Sequence, residues 1–161
     1  ITSSAASDVY KRQELGRVAA LASSGVYAMP ELLRAMRHPD AAVRYWGATG
    51  VGNIGKPGAY AKPNMIEALK DSSPSVRIAA ARALGKLGSP GKALPTLEAE
   101  LKSEHQWGRL AAAIVLDEMD EQARPSIPAL KQALVKQPNK YIVRVANRAL
   151  NELQGTQNTV P

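Results

Sequence analysis

Proline recurs along this chain at an almost constant spacing, and this period restricts the fold more than any other feature. Successive members lie 32 or 33 residues apart, and the four prolines are Pro30, Pro63, Pro95 and Pro128. Two apolar columns keep the same phase. The first contains Leu32, Met65, Leu97 and Leu130, and the second contains Met36, Leu69, Leu101 and Leu134. A period of this size predicts an array of helix pairs that bury their apolar faces by stacking on one another.

The composition favours helices over sheets in this array. The chain of 161 residues is 45% hydrophobic, but only 4% of it is aromatic and it has no Phe. The core must therefore be built from aliphatic side chains and Ala, which allow helices to approach closely. We predict an all-α fold: a right-handed α-solenoid of about four helix pairs plus a leading helix. The first helix of each pair should lie outside and the second on the concave side.

Proline and glycine predict the boundaries of the repeats. Proline suits the first turn of a helix, because the N–H that it lacks would have no helical partner there. Each phased proline is therefore expected at or near the start of the first helix of a pair, and Gly55 and Gly88 are expected to end second helices. The predicted order is a disordered lead at 1–7, a leading helix at 8–24, repeats at about 29–55, 60–88, 93–120 and 123–153, and a disordered tail at 154–161.

The net charge of +7 is spread over 21 Lys and Arg residues, with no run of five like charges. A solvated basic surface is the simplest interpretation, and a polyanionic partner such as a sulfated glycan or nucleic acid is the alternative. The dispersed charge and the lack of base-reading motifs argue against nucleic acid.

Cysteine is absent, which excludes disulfides, thiolate metal sites and cysteine nucleophiles. No apolar run approaches the roughly 20 residues of a membrane-spanning helix, so no membrane partner is predicted. The sequence begins at Ile1 rather than at a methionine. From this start we expect a piece of a longer protein.

One segment carries a family resemblance. Residues 71–85 read Asp-Ser-Ser-Pro-Ser-Val-Arg-Ile-Ala-Ala-Ala-Arg-Ala-Leu-Gly, a turn followed by Val-Arg and an Ala-rich helix. This pattern resembles HEAT repeats, and the resemblance extends over about residues 29–153. It implies an α-solenoid and says little about function.

A narrower resemblance suggests a parent protein. Residues 38–47, His-Pro-Asp-Ala-Ala-Val-Arg-Tyr-Trp-Gly, resemble the first repeat of the helical C-terminal extension of some bacterial sulfatases, and 106–110 and 139–150 resemble its later segments. Asp120 departs from the pattern, because a glycine would fit that loop better. The resemblance implies an exported protein, periplasmic or extracellular, whose catalytic domain precedes this region. Sulfatases need Cys or Ser, then Pro two residues on and Arg two further, and the closest string here has Val76 in place of that Arg.

Arginine forms the first candidate constellation. A column follows the turns of the four repeats and contains Arg44, Arg77, Arg109 and Arg144. We expect these side chains to join neighbouring repeats, with Asp40 and Asp71 as partners, and contact with a ligand is the alternative. Arg82 and Arg148 lie deeper in second helices. They are better candidates for binding an anion than the column is, although a solvated face is the preferred interpretation.

Two tryptophans, Trp46 and Trp107, occupy similar places in their repeats. Packing against the next repeat is the expected role, and the alternative is a platform for a sugar ring or a missing domain. The two histidines, His38 and His105, have neither a second histidine nor paired carboxylates at ligand spacing, so no metal site is predicted. The sequence also offers no phosphate-binding glycine loop and no supported Ser-His-Asp arrangement, so we expect no catalytic residue and no cofactor.

These features predict a non-catalytic scaffold or interaction module. Its partner would be the upstream catalytic domain of a larger exported sulfatase-like hydrolase, in the same chain. The second hypothesis is a stand-alone scaffold that binds a separate protein, and the third is a nucleic-acid-binding protein.

Overall fold

A computed structural model describes the backbone of residues 3–135 and 138–160. Within these ranges it describes the exposure and contacts of the side chains from residue 8 onward. Its described part contains α-helices and short 3-10 helices and no strand. The α-helices are α1 (Ser3–Leu21), α2 (Met29–Ala35), α3 (Ala41–Ile54), α4 (Lys62–Ala68), α5 (Pro74–Lys86), α6 (Pro90–Leu101), α7 (Gln106–Glu118), α8 (Ile127–Gln132) and α9 (Lys140–Gln154). The 3-10 helices are Val26–Ala28, Lys56–Ala61 and Asp120–Ser126.

Helices that are consecutive in the chain form four packed pairs, α2/α3, α4/α5, α6/α7 and α8/α9. Their second members pack on one another in chain order, so α3, α5, α7 and α9 make a continuous layer, and α1 covers its first end by packing on α3. We call the outer surface of this layer the second-helix face. The predicted α-solenoid of four pairs with a leading helix is confirmed.

The core lies between the two layers and is built as the phased columns predict. Every member of the first column, from Leu32 to Leu130, is fully buried. In the second column Leu101 is buried and Met36, Leu69 and Leu134 pack against the core with part of their surface exposed. Each fully buried side chain of this size contributes about 1.5–3 kcal/mol of transfer free energy. A single helix pair could not bury these side chains alone, so the stability depends on stacking of the repeats.

Caps fix several helix ends. The Asp40 side chain accepts a hydrogen bond from the Ala42 N–H at 2.8 Å and starts α3, as expected for an N-cap aspartate. Gly55 and Gly88 follow α3 and α5 with φ of 66° and 76°, a backbone region that favours glycine. Asp120 has φ of 48° and is the one non-glycine residue with positive φ in the described part of the chain. A glycine would therefore fit this loop better, as the sequence comparison expects.

Two predicted boundaries differ from the structure. The helix α1 already begins at Ser3, within the predicted disordered lead, and residues 1 and 2 lie outside the described part. Pro90 opens α6, so Pro95 lies inside that helix and not in its first turn. Pro30, Pro63 and Pro128 do lie in the first turns of their helices.

The predicted disordered tail is folded back onto α9. Gly155 adopts a left-handed φ of 64° and reverses the chain. The Asn158 carbonyl then accepts hydrogen bonds from the side-chain amides of Asn147 at 2.7 Å and Asn151 at 2.9 Å. The polar composition of the tail suggested disorder, but here the asparagines bind the backbone. No helix in the described ranges is both long and apolar enough to cross a membrane.

Candidate functional site

The arginine at the start of α3 joins the first two repeats. Arg44 donates from Nε and Nη2 to both carboxylate oxygens of Asp71, at 2.7 and 2.9 Å, and from Nη1 to the carbonyls of His38 and Pro39. This two-point pairing lowers the pKa of Asp71 and raises that of Arg44, chiefly through the shared hydrogen bonds. The Asp71 carboxylate also accepts from the Ser73 N–H at 2.8 Å, which fixes the turn before α5.

The arginine at the same place in α5 repeats the arrangement with a different acid. Arg77 donates from Nη1 to the carbonyls of Asp71 and Ser72, and its Nε donates to Glu100 Oε1 at 2.6 Å. Glu100 is almost fully buried in α6. The prediction that these arginines join repeats is therefore supported for Arg44 and Arg77, with Asp71 as a partner, whereas Asp40 caps α3 instead.

The third arginine keeps the backbone contact and lacks the acid. Arg109 donates from Nη1 to the Ser103 carbonyl at 2.7 Å. Within the described ranges no carboxylate reaches it, and its buried Nε has no hydrogen-bond partner. Arg109 also lines a pocket of about 280 Å³ between α6 and α8, together with Lys102 and Ala133.

The fourth predicted member, Arg144, does not belong to this column. In α3 and α5 the arginine directly follows the first buried residue of the helix, which is Val43 or Val76. The first buried residue of α9 is Ile142. Val143 therefore occupies the place of the arginine, and Arg144 is one position further around the helix. It is exposed, and no hydrogen bond or ion pair joins it to another described residue. The Val-Arg dipeptide misled the prediction, because the same two letters occur one residue out of step.

The two arginines predicted as anion-binding candidates are already engaged with acids of α7. Arg82 on α5 donates to both carboxylate oxygens of Glu118, at 2.6 and 3.1 Å. Arg148 on α9 contacts both oxygens of Asp117, with 3.1 Å from Nε to Oδ1. The Asp117 side chain is only 2% exposed, so Arg148 supplies a charge partner to a buried carboxylate. These pairs reduce the positive potential that either arginine could offer to a polyanion.

A groove of about 400 Å³ crosses the second-helix face between α3 and α7. Its apolar side chains come from three helices: Tyr45 from α3, Ile78 from α5, and Trp107 and Ile114 from α7. The Arg82–Glu118 pair lies at its rim. We call this surface the Trp107 groove.

The two tryptophans differ in exposure and do not share a role. Trp46 is half-buried, packs against the core and meets the Tyr45 ring edge to face, with centroids 5.5 Å apart. Trp107 is 69% exposed and lines the groove. The packing interpretation therefore fits Trp46, and the platform interpretation fits Trp107. Tyr141 starts α9 as Trp107 starts α7 and is also exposed.

Potential metal ligands do not cluster in residues 8–135 and 138–160. No group of three acidic or histidine side chains there could hold a metal ion. His38 has a structural contact, because its Nδ1 accepts from the Asp40 N–H at 3.0 Å.

Comparison with known families agrees with this geometry. The sequence pattern of HEAT repeats matches residues 29–117 and again 62–151, which together span most of the chain. The chain belongs to the HEAT-repeat family. No curated protein sequence matches it.

Solved structures share the HEAT-like architecture. One is the complex of CpcE and CpcF of phycocyanin lyase from Nostoc sp. PCC7120, in which a chain 26% identical to this one matches with a TM-score of 0.65 over 82% of this chain and 85% of its own length. Another is a designed armadillo repeat protein in complex with the peptide (KR)4, with 18% identity and a TM-score of 0.61 over 86% of this chain and 73% of its own. The second likeness concerns the fold alone. Neither of these two structures is that of a sulfatase.

Sequence reasoning missed the acids of this site. Glu100, Asp117 and Glu118 pair with arginines 23 to 36 residues away in sequence, across a repeat boundary. A signal did exist, since an acid is almost never buried in an apolar helix face without a charged partner.

Proposed function

We propose that this HEAT-repeat array is a non-catalytic interaction module that binds a protein domain through the Trp107 groove. The observation that carries the proposal is the large exposed surface of Trp107 beside Ile114, on a face that no part of the described chain covers. Tryptophan is prominent among residues that dominate protein–protein binding energy, particularly where it sits in an apolar pocket with a polar rim.

A protein partner fits this groove better than a polyanion does. The arginines nearest the groove are paired with Glu118 and Asp117, so the face presents apolar surface edged by neutralised charge. The structural likeness to a chain of the CpcE–CpcF complex supports the same choice, because that complex joins two proteins.

The finer proposal names the partner as the catalytic domain of an exported sulfatase-like hydrolase that precedes the array in the same chain. The resemblance of residues 38–47 to a sulfatase extension is its support. The coding sequence upstream of Ile1 tests it directly. A continuous frame that contains Cys/Ser-x-Pro-x-Arg supports the finer proposal. A frame without it leaves a separate protein as the partner.

The groove itself is tested by binding of the separately expressed partner domain. Trp107→Ala should weaken binding by about 25-fold or more, because truncated hot-spot residues cost at least about 2 kcal/mol. Tyr60→Ala is the matched control, since Tyr60 is 62% exposed and does not line the groove. Equal loss in both variants would contradict the groove assignment. Strongly salt-dependent binding of duplex DNA or heparin, insensitive to Trp107→Ala, would favour the polyanion reading instead.

A further inference from the structure

One stripe of each second helix faces the second helix of the next repeat. It is formed by the fifth and ninth residues after the first buried residue, which lie one turn apart on one side of the helix. At the ninth position, a Cβ on Gly52 of α3 would lie 3.1 Å from Ala83 Cα of α5, and Asp117 of α7 contacts Arg148 of α9. The fifth position is a fully buried alanine in each of these helices. We call these positions the stacking stripe, and its members are Ala48 and Gly52 on α3, Ala81 and Gly85 on α5, and Ala113 and Asp117 on α7.

On α9 both positions of the stacking stripe are asparagines that bind the folded-back tail. Asn147 donates from Nδ2 to the Asn158 carbonyl at 2.7 Å. The Asn151 amide pairs with both backbone groups of Asn158: its Nδ2 donates to the carbonyl at 2.9 Å, and its Oδ1 accepts from the N–H at 3.0 Å. The same Oδ1 accepts from the Thr156 hydroxyl at 2.8 Å. The tail, residues 155–160, is therefore bound on the side of α9 where each earlier second helix contacts its successor.

These contacts recognise the backbone of the tail and not its side chain at position 158. A side-chain amide offers one donor and one acceptor to the backbone N–H and C=O, as a neighbouring strand would. Gly155 makes the reversal possible, because its φ of 64° lies in the region that favours glycine. The attachment of the tail therefore depends on Asn147, Asn151 and Gly155, and the Asn158 side chain is dispensable.

A second difference separates α9 from the earlier second helices. Arg44 and Arg77 reach forward to acids of the next repeat, which are Asp71 and Glu100. The same column position in α9 is Val143, which cannot form an ion pair. The stacking stripe and the arginine column thus change together on α9, and the polar groups of the stripe are satisfied by the tail.

We propose that residues 155–160 are a latch that covers the stacking stripe of α9 and prevents a second copy of this array from stacking there. A second copy is the relevant occupant because second helices pack on one another three times in this fold, α3 on α5, α5 on α7 and α7 on α9. Repeat arrays need a polar outer face at their ends to stay soluble, and the asparagines with their bound tail supply one.

The latch does not depend on the proposed protein-binding groove. The described residues that line the Trp107 groove come from α3, α5 and α7, and none comes from α9 or the tail. Self-association through α9 should therefore persist when Trp107 is also replaced by alanine, whereas association through the groove should be lost.

The double variant Asn147→Ala/Asn151→Ala of the whole chain tests the latch. It removes the side-chain hydrogen bonds to the tail and leaves α9 with better helix formers. The Asn158 amide should exchange its hydrogen at least about tenfold faster, as measured by NMR, because its acceptor is lost. Sedimentation velocity should then become concentration-dependent. Asn158→Ala is the matched control, since it keeps the backbone groups that the asparagines bind, and it should match the unaltered chain in both measurements.

Gly155→Val provides a second variant that leaves both asparagines in place. A β-branched residue is strained at this positive φ, so the tail should be released in part and self-association should increase in the same direction. Unchanged exchange of the Asn158 amide in the double variant would overturn the proposal, because the asparagines would not hold the tail. Variants that release the tail and remain monomeric at every concentration, or that associate no more than the unaltered chain, would overturn it as well.

Discussion

Replacing Gly47 by alanine tests how closely the two layers of the array approach. Gly47 is buried in α3, where that helix crosses α2. A Cβ at this position would lie 2.9 Å from the Leu32 carbonyl oxygen, 2.9 Å from Met36 Cγ and 3.2 Å from the Met36 N. The Met36 side chain can move, but the Leu32 carbonyl belongs to the backbone of α2 and accepts the hydrogen bond of the Met36 N–H at 3.1 Å. The whole helix must therefore shift.

The size of the effect follows from two opposing terms. Close C···O contacts in proteins are about 3.3 Å or longer, so α2 must retreat by about 0.4 Å from a packed core. Overpacking of this kind costs about 1–3 kcal/mol. Alanine in place of glycine inside a helix returns about 1 kcal/mol. Gly47→Ala should therefore leave the free energy of unfolding between unchanged and about 2 kcal/mol lower.

Gly16→Ala isolates the packing term. Gly16 lies in the exposed part of α1 and a Cβ there would meet nothing within 4 Å, so this variant should gain the propensity term alone. Urea and thermal unfolding followed by circular dichroism should separate the two variants by about 1–3 kcal/mol, or roughly 2–12 °C in Tm. If both substitutions stabilise the protein equally, α2 and α3 are not in the close contact described here.

Two ion pairs give further predictions. Asp71→Asn should lower the free energy of unfolding at neutral pH by about 1–3 kcal/mol. The hydrogen bond from Arg44 lowers the pKa of Asp71 in the folded state, so this loss of stability should be complete above the ordinary pKa of 3.8 and should shrink as the pH falls below 3.8. Urea unfolding at a series of pH values measures it. Arg148→Ala should cost about 3–5 kcal/mol because it leaves the Asp117 carboxylate buried and unpaired, whereas Arg82→Ala removes an exposed pair and should cost at most about 1 kcal/mol in the same assay. Equal costs for the two arginines would show that the burial of Asp117 is not important.

The layers of the fold could be predicted because their cause is local and periodic. An apolar residue two positions after each proline faces the neighbouring helix in every repeat, so one period identifies Leu32 and Leu130 as core alike. The ends of the helices were harder to predict from the sequence. Pro95 has the phase of a helix start, but Pro90 supplies an earlier one, and only the three-dimensional packing decides between them.

The candidate site was predicted in outline and not in detail. Asp71 was expected as a partner in this column, but the Glu100 that Arg77 meets was not, because that contact depends on how far the next repeat is rotated. The same limit applies to Trp46 and Trp107, which differ in sequence register by about one helical turn. That difference places the first against the core and leaves the second exposed. The burial of each tryptophan cannot be predicted from this difference in register unless the stacking geometry of the helices is known.

The measurement that most directly tests the central claim is site-specific photo-crosslinking in the cell of origin. A photoreactive phenylalanine analogue replaces Trp107 in one variant and Tyr60 in the other, which compares the groove with an equally exposed surface. The account predicts that the Trp107 position crosslinks to one protein or one adjoining domain, identified by mass spectrometry, and that the Tyr60 position does not. Crosslinks to that same partner from both positions, or from the Tyr60 position alone, would contradict the claim that this HEAT-repeat array binds its partner through the Trp107 groove.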